Sequence, residues 1–152
     1  MLKSFYRRNL PHLQRDYKPH FLTFCTWQRW MLPDAARSLV LECCLRDHGV
    51  KIDLQVAVVM PDHVHMVFVP LVDEVAREIF SLAEITQGIK GASAHKINRL
   101  LGRSGAVWQD ESFDRVLRST EKLDEKLRYV AENPVRKGLV GCALEYRWLW
   151  VK

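Results

Sequence analysis

Apolar positions along the chain keep two different rhythms, and the change between them divides it into elements. "HFLTFCTWQ" (20–28) is rich in aromatic and β-branched residues and reads as a strand. After Pro33, "DAARSLVLECCLRDHG" (34–49) reads as a helix closed by Gly49. "KIDLQVAVVM" (51–60) sets Ile52, Leu54, Val56, Val58 and Met60 at a period of two, a second strand with one apolar face. Pro61-Asp62 has turn chemistry, because proline presets φ at the first central position. The apolar run that follows at once makes strands two and three an antiparallel hairpin.

From Val75 the spacing becomes helical. Val75, Ile79, Leu82, Ile85 and Ile89 fall on one stripe, which Ile97, Leu100 and Leu101 continue after the small residues "GAS". "AVWQDESFDRVLRS" (106–119) reads as a fourth strand despite its polar middle. "TEKLDEKLRYVAEN" (120–133) reads as a helix with Thr120 as N-cap, acids in the first turn and Pro134 just beyond its end. The order β-α-β-β-α-β-α predicts a ferredoxin-like α+β fold. In that split βαβ arrangement, a four-stranded antiparallel sheet carries helices on one face and a C-terminal helix besides. No repeat or linker interrupts the 152 residues, so one domain is expected over 1–152, with residues 1–19 as a basic arm.

Charge sharpens this picture because it is concentrated. The net charge is +5; residues 1–18 hold Lys3, Arg7, Arg8, Arg15 and Lys18 against Asp16 alone. Residues 86–105 hold Lys90, Lys96, Arg99 and Arg103 with no acid, and the rest of the chain is slightly acidic. Two basic segments on an acidic body point to a polyanion partner, since phosphate neutralisation supplies most non-specific nucleic-acid affinity. No run approaches the roughly 18 apolar residues of a membrane span, and no signal peptide opens the chain. A cytoplasmic, nucleoid-associated protein without a membrane partner is the expectation. Cys25, Cys43, Cys44 and Cys142 make no CxxC pair and read as reduced thiols.

Chemistry enters at "MPDHVHMVFVP" (60–70). His63 and His65 lie two apart on a strand and so share a face with Val67 and Val69, while Val64, Met66 and Phe68 take the core side. Two neutral imidazoles presented from a rigid strand make two metal ligands, although a lone histidine is usually the satisfied partner of a backbone group. On the 120–133 helix, Leu123, Leu127 and Val130 form the buried stripe. A second stripe runs Lys122, Lys126, Tyr129 and Asn133, with a phenol and a carboxamide one turn apart among cations. That is either an amphipathic tyrosine at the core's edge or a nucleophile beside an oxygen ligand.

These segments together resemble a known family. "VVMPDHVHMVF" is similar to the histidine–hydrophobic–histidine strand of the single-tyrosine (HUH) transposases of bacterial insertion sequences. "RYVAENPVRKGLV" (128–140) is similar to their tyrosine helix and its continuation. "YRRNLPH", "TQGIKG", "INRLLGRSGAVWQ" and "FDRVLR" resemble the REP-associated tyrosine transposases in particular, in the family's order over nearly the whole chain. The resemblance implies metal-assisted cleavage and strand transfer of single-stranded DNA at hairpins or palindromic repeats, through a 5′-phosphotyrosine. It implies His63 and His65 as metal ligands with Asn133 as the polar third, Tyr129 as nucleophile, and Mg²⁺ or Mn²⁺ as the metal. Where members often carry Asn before the first histidine, this chain has Asp62, which leaves a carboxylate near the metal open. Imidazole ligands alone favour zinc or copper. Arg7, Arg8, Lys90, Lys96, Arg99, Arg103, Lys126 and Arg136 are the expected DNA contacts. Both a homodimer and a monomer fit the resemblance.

Two other function classes fit the same pattern. One is a non-catalytic nucleic-acid-binding module, although His63 and His65 occupy the face where such sheets carry stacking aromatics. The other is a metal-dependent nuclease using water, with Tyr129 merely structural. Of the remaining groups, His48 is expected in the last turn of its helix, and Trp27 and Trp108 are expected in the core more than against bases. Trp148 and Trp150 are expected to anchor the C-terminal tail.

Overall fold

A computed structural model describes residues 18–152. Five strands form one antiparallel sheet: β1 (His20–Thr26), β2 (Ile52–Val59), β3 (His63–Pro70), β6 (Trp108–Val116) and β7 (Leu149–Val151). Their spatial order is β6-β1-β3-β2-β7, and β4 (Val72–Asp73) with β5 (Glu78–Ile79) makes a separate two-stranded ribbon. Three helices complete the fold: α1 (Asp34–Arg46), α2 (Leu82–Leu101) and α3 (Thr120–Arg136). The α+β class and the hairpin of β2 and β3 are as the sequence predicts; the fifth strand is an addition. It forms because the tail is anchored as expected. The Tyr146 hydroxyl donates to the Val59 carbonyl at 2.6 Å, Trp148 Nε1 donates to Ser38 Oγ at 3.0 Å, and the Trp150 ring lies 5.2 Å from that of His48.

Both faces of the sheet are covered. Cys44 Sγ of α1 reaches Met66 Sδ at 3.8 Å, and Trp108 Nε1 donates to Ser93 Oγ of α2 at 3.0 Å, so α1 and α2 lie on the Met66 side. On the other side α3 lies across β2 and β3. That is why all eight residues of β3 are buried, as befits a central strand with helices on both faces.

One departure from the sequence pattern bears on the site. In β2 the pairing runs Leu54 with Phe68, then Val56 with Val67, Ala57 with Met66 and Val58 with His65. Gln55 is the extra residue of a β-bulge, and it resets the alternation. Ile52 and Leu54 therefore face α1 and α2, whereas Val56 and Val58 share the histidine face and floor the site under α3. The expected single face across residues 52–60 is replaced by two half-faces.

The helix boundaries differ for local reasons. Val75 and Ile79 are not helical, because Asp73 Oδ1 accepts from the Val75 and Ala76 amides at 3.0 and 3.3 Å and folds a turn there. α2 starts after Ser81, whose hydroxyl accepts from the Glu84 amide at 3.1 Å, and runs unbroken through the small residues. α1 stops at Arg46, leaving His48 in the following turn, where its Nδ1 accepts from the Leu54 amide at 2.9 Å. In α3 the N-cap is Ser119, not Thr120, and the helix continues through Pro134 to Arg136. A proline inside a helix removes the bond to the carbonyl four residues back. Here the burial of Val130, Asn133 and Pro134 holds that last turn in place.

Candidate active site

The site lies where the middle of β3 meets the second half of α3. His63 and His65 project from one face of β3 with ring centroids 4.7 Å apart, both nearly buried. Each ring is held through Nδ1. His63 Nδ1 lies 2.7 Å from Asp62 Oδ1, and Asp62 Oδ2 accepts from Arg29 Nε at 3.0 Å. His65 Nδ1 lies 2.7 Å from the hydroxyl of Thr23, its cross-strand neighbour on β1. A histidine that ligates a metal through one nitrogen usually has the other tied in this manner, which sets its tautomer and ring orientation.

Electrostatics fixes the protonation of this pair. Burial alone would raise the Asp62 carboxyl, but the hydrogen bonds from Arg29 and His63 outweigh it and hold the group below the usual carboxylate range. Asp62 is therefore ionised, and His63 Nδ1 carries the proton it donates. Burial pushes His63 down despite that carboxylate. It pushes His65 down to about 3, aided by the neighbouring His63 and by Lys126 and Arg136. Both rings are neutral at pH 7, the form that ligates metal. The bond to Asp62 leaves the His63 Nε2 lone pair facing α3.

From α3, Asn133 comes down to the sheet with 2% of its surface exposed, its Nδ2 3.4 Å from His63 Nε2. In this orientation the amide donates to the ring; turning it over presents Oδ1 to the same place. One turn earlier, Tyr129 is 43% exposed, and its ring stands edge-on to His65 at 5.8 Å and to Phe21 at 6.3 Å. Lys126 Nζ lies 4.8 Å and the Arg136 guanidinium 4.2 Å from the centre of that ring, so the phenol sits between two cations. Arg136 Nη2 also donates to the Tyr129 carbonyl at 2.6 Å. Burial and the charges of Arg115 and Lys122 lower Lys126 from its ordinary value.

The four chemistry-bearing residues picked from the sequence thus converge, although His63 and Asn133 are 70 positions apart. Asp62, left open from the sequence, sits behind the His63 ring and orients it. Thr23 and Arg29 escape sequence reading because only sheet register and the 27–29 turn bring them to the histidines; Arg29 takes a left-handed backbone there, with φ of 56°. No cluster of three or more His, Cys, Asp or Glu suited to a metal exists among the described residues. The donor set here is two imidazoles and an amide.

The proposed phosphate contacts divide. Lys126 and Arg136 flank Tyr129. Lys90, Lys96 and Arg99 lie on α2, across the sheet from it. Lys90 Nζ is engaged by the Gln109 and Asp110 carbonyls at 2.6 and 3.2 Å and by Ser112 Oγ at 3.1 Å. Arg103 binds Asn98 Oδ1 at 2.7 Å and stacks 4.3 Å over Trp30. Arg7 and Arg8 fall outside the described residues. Trp108 is core, as expected, whereas Trp27 is 47% exposed. The four described cysteines are free thiols. No helix among the described residues is long and apolar enough to cross a membrane.

Comparison with solved structures decides the fold. A REP-associated tyrosine transposase bound to a REP hairpin matches with a TM-score of 0.68 at 18% identity, over 88% of this chain and 76% of that one. This chain shares the fold of that transposase. A Deinococcus radiodurans R1 protein named as a candidate transposase matches with a TM-score of 0.50 at 21% identity, over 77% of this chain and 91% of the other. No protein-family model and no curated protein matches the sequence. At these identities the likeness is one of architecture. Within this transposase fold, what the site can do rests on its own geometry.

Proposed function

We propose that this protein cleaves and rejoins single-stranded DNA beside a hairpin, with Tyr129 as nucleophile. The observation that carries the proposal is the meeting of Tyr129 and Asn133, one helical turn apart, with two neutral histidines whose outer nitrogens are already tied to Thr23 and Asp62. A site built only for packing has no need of two oriented imidazoles facing a half-exposed phenol between cations. The likeness to a transposase solved with a REP hairpin favours hairpin DNA as the partner.

In the proposed step, Tyr129 Oη forms a bond to the scissile phosphorus as the bond to the 3′ oxygen breaks. The phenolic proton is lost, and the departing oxygen takes one up as a 3′ hydroxyl, leaving a 5′-phosphotyrosine. The number of phosphate ester bonds is unchanged, so another 3′ hydroxyl can reverse the step and join strands without ATP. Lys126 and Arg136 hold the phosphate against the phenol and offset charge as it builds on the oxygens. His63, His65 and the Asn133 amide would hold the divalent metal, Mg²⁺ or Mn²⁺. When bound, it would act as a Lewis acid on the phosphate. Three protein ligands with open positions suit that task.

Tyr146 is buried with its hydroxyl on the Val59 carbonyl, which removes it as a rival nucleophile. Tyr129→Phe keeps the ring between its cations and removes one oxygen. This variant should fold, bind hairpin DNA and give no covalent adduct with a hairpin bearing 5′ flanking sequence. An adduct surviving in Y129F, mapped by peptide mass, would move the active site. Cleavage by the wild type without any adduct would favour water as nucleophile.

A further inference from the structure

The edge strand β6 is two-faced in charge. Asp110, Ser112 and Asp114 line a cleft on the α2 side. On the histidine side stand Phe113 and Arg115, since Thr23 pairs with both His65 and Phe113, and Phe21 pairs with Arg115. Phe113 is 52% exposed on this edge. Its ring meets Phe21 edge-on at 6.2 Å, and Phe21 meets Tyr129 at 6.3 Å, so an aromatic row leads from the proposed nucleophile to the edge of the sheet. Two strand spacings put Phe113 about 10 Å from His65 across the sheet.

Beside this row, the end of β6 and the first turns of α3 enclose a cleft of about 250 Å³. Arg115, Arg118, Lys122 and Lys126 line it against a single acid, Glu125. Lys126 belongs to both places, lying 4.4 Å over the Phe21 ring and 4.8 Å from the Tyr129 ring. Arg115 stands 5.8 Å from the Phe113 ring, which is half-exposed. An exposed aromatic next to a positively charged groove is the arrangement that holds unpaired nucleotides, the ring stacking a base and the cations following the phosphates.

We propose that Phe113 stacks an unpaired base of the strand flanking the scissile phosphate, while the Arg115–Lys126 cleft holds that nucleotide's phosphate. The inference rests on the function proposed above and adds the direction of the strand: from Tyr129 outward over Phe21 to the β6 edge. The strand occupies the histidine face of β6, where Arg115 and Lys126 stand free to meet phosphate, and not the α2 face, where Asp110 and Asp114 share the cleft with Lys90, whose Nζ is already engaged by the β6 oxygens.

The test is an abasic scan. Single-stranded flanks on a hairpin are synthesised with one base removed at each position in turn, and binding to the full chain is measured for wild type, Phe113→Ala and Phe113→Trp. In wild type, one position should lose roughly 5- to 150-fold in affinity on base removal, the range for one aromatic–base stack. In F113A that position should lose little more, and F113W should restore the loss. Arg118→Gln with Lys122→Gln should weaken binding of every flank alike, without moving the sensitive position. Equal base sensitivity in wild type and F113A at every position would overturn the stacking assignment. Adduct formation by Tyr129 measured on the same substrates separates the two readings. An adduct with no Phe113-coupled position removes this inference alone, and a coupled position without an adduct removes only the chemistry.

Discussion

Replacing Thr23 by Val tests whether the histidine face is built for a metal. The substitution keeps the β-branched shape on β1 and deletes only the hydroxyl 2.7 Å from His65 Nδ1. His65 is 7% exposed, so solvent does not replace the lost partner. Leaving a buried polar atom unpaired costs about 1–3 kcal/mol. For a domain of this size each kcal/mol moves the unfolding midpoint by about 2–4 °C, so T23V in chelator should melt about 2–12 °C lower. The second effect is the more telling. Losing a partner that orients a ligating histidine weakens metal binding about 10- to 100-fold, equivalent to about 1.4–2.7 kcal/mol. At saturating Mn²⁺ the metal-dependent rise in midpoint should shrink by that amount. Thermal unfolding over a Mn²⁺ titration reads both effects, and Thr23→Ser, which keeps the hydroxyl, should retain most of the metal response. If T23V melts lower in chelator but keeps the full metal increment, the contact is structural and His65 is not a ligand oriented through Nδ1. If the wild type shows no metal increment, the metal site itself is refuted.

Three further outcomes follow from particular groups. Lys126→Gln and Arg136→Gln should each flatten the salt dependence of single-strand binding by about 0.7 in log–log slope. Lys90→Gln should lower the melting temperature without changing that slope, because Lys90 is spent on the carbonyls of β6. Asp47 is 5% exposed with its Oδ2 lacking a hydrogen-bond partner, and burial raises its carboxyl above the ordinary value. The folded state therefore holds this proton more tightly than the unfolded one, and stability declines as pH rises from about 3.8 through the folded pKa. Asp47→Asn should gain about 1 kcal/mol at pH 7 and lose that advantage toward pH 4, as denaturant midpoints across pH would show.

How much of this was legible beforehand differs by element, for physical reasons. The hairpin of β2 and β3 could be read because Pro61-Asp62 has unambiguous turn chemistry between two apolar runs. His63 and His65 could be placed on one face because strand alternation needs no tertiary knowledge. The Gln55 bulge could not be read, since burial on both faces makes Val56, Ala57, Val58 and Val59 apolar alike and erases the period that would reveal a reset. Val75 fell in phase with the helix by coincidence; the Asp73 side chain captures the local amides and decides the turn. Tail strand β7 is three residues long and exists through Tyr146 and Trp148, whose partners lie 87 and 110 positions away. The basic segment at 86–105 looked like one surface in sequence, yet a helix spreads its charges around an axis, and Lys90 turns to the carbonyls of β6.

The gradient of burial along α3 is the feature that ties the fold to the proposed chemistry. A nucleophile that carries DNA must be reachable and able to shift, whereas a metal ligand must be fixed to within a fraction of an ångström. In the proposed reaction Tyr129 and Asn133 would meet these opposed demands with one turn of helix, at 43% and 2% exposure. Pro134 marks the boundary. It removes one helix hydrogen bond, which on an isolated helix would loosen the last turn, but here the buried side of that turn is pressed on the sheet. The Lys137 and Leu139 amides then close it on the Asn133 and Pro134 carbonyls at 3.0 and 2.9 Å. Tertiary packing thus supplies at Asn133 the rigidity that helix bonding alone does not. At Tyr129, the restraint is Lys126 and Arg136 against the ring, with Arg136 also donating to its carbonyl. In the proposed reaction an incoming phosphate would compete directly for those same cations. Its arrival would draw Lys126 and Arg136 toward its oxygens and release the phenol where the phosphorus has just been placed.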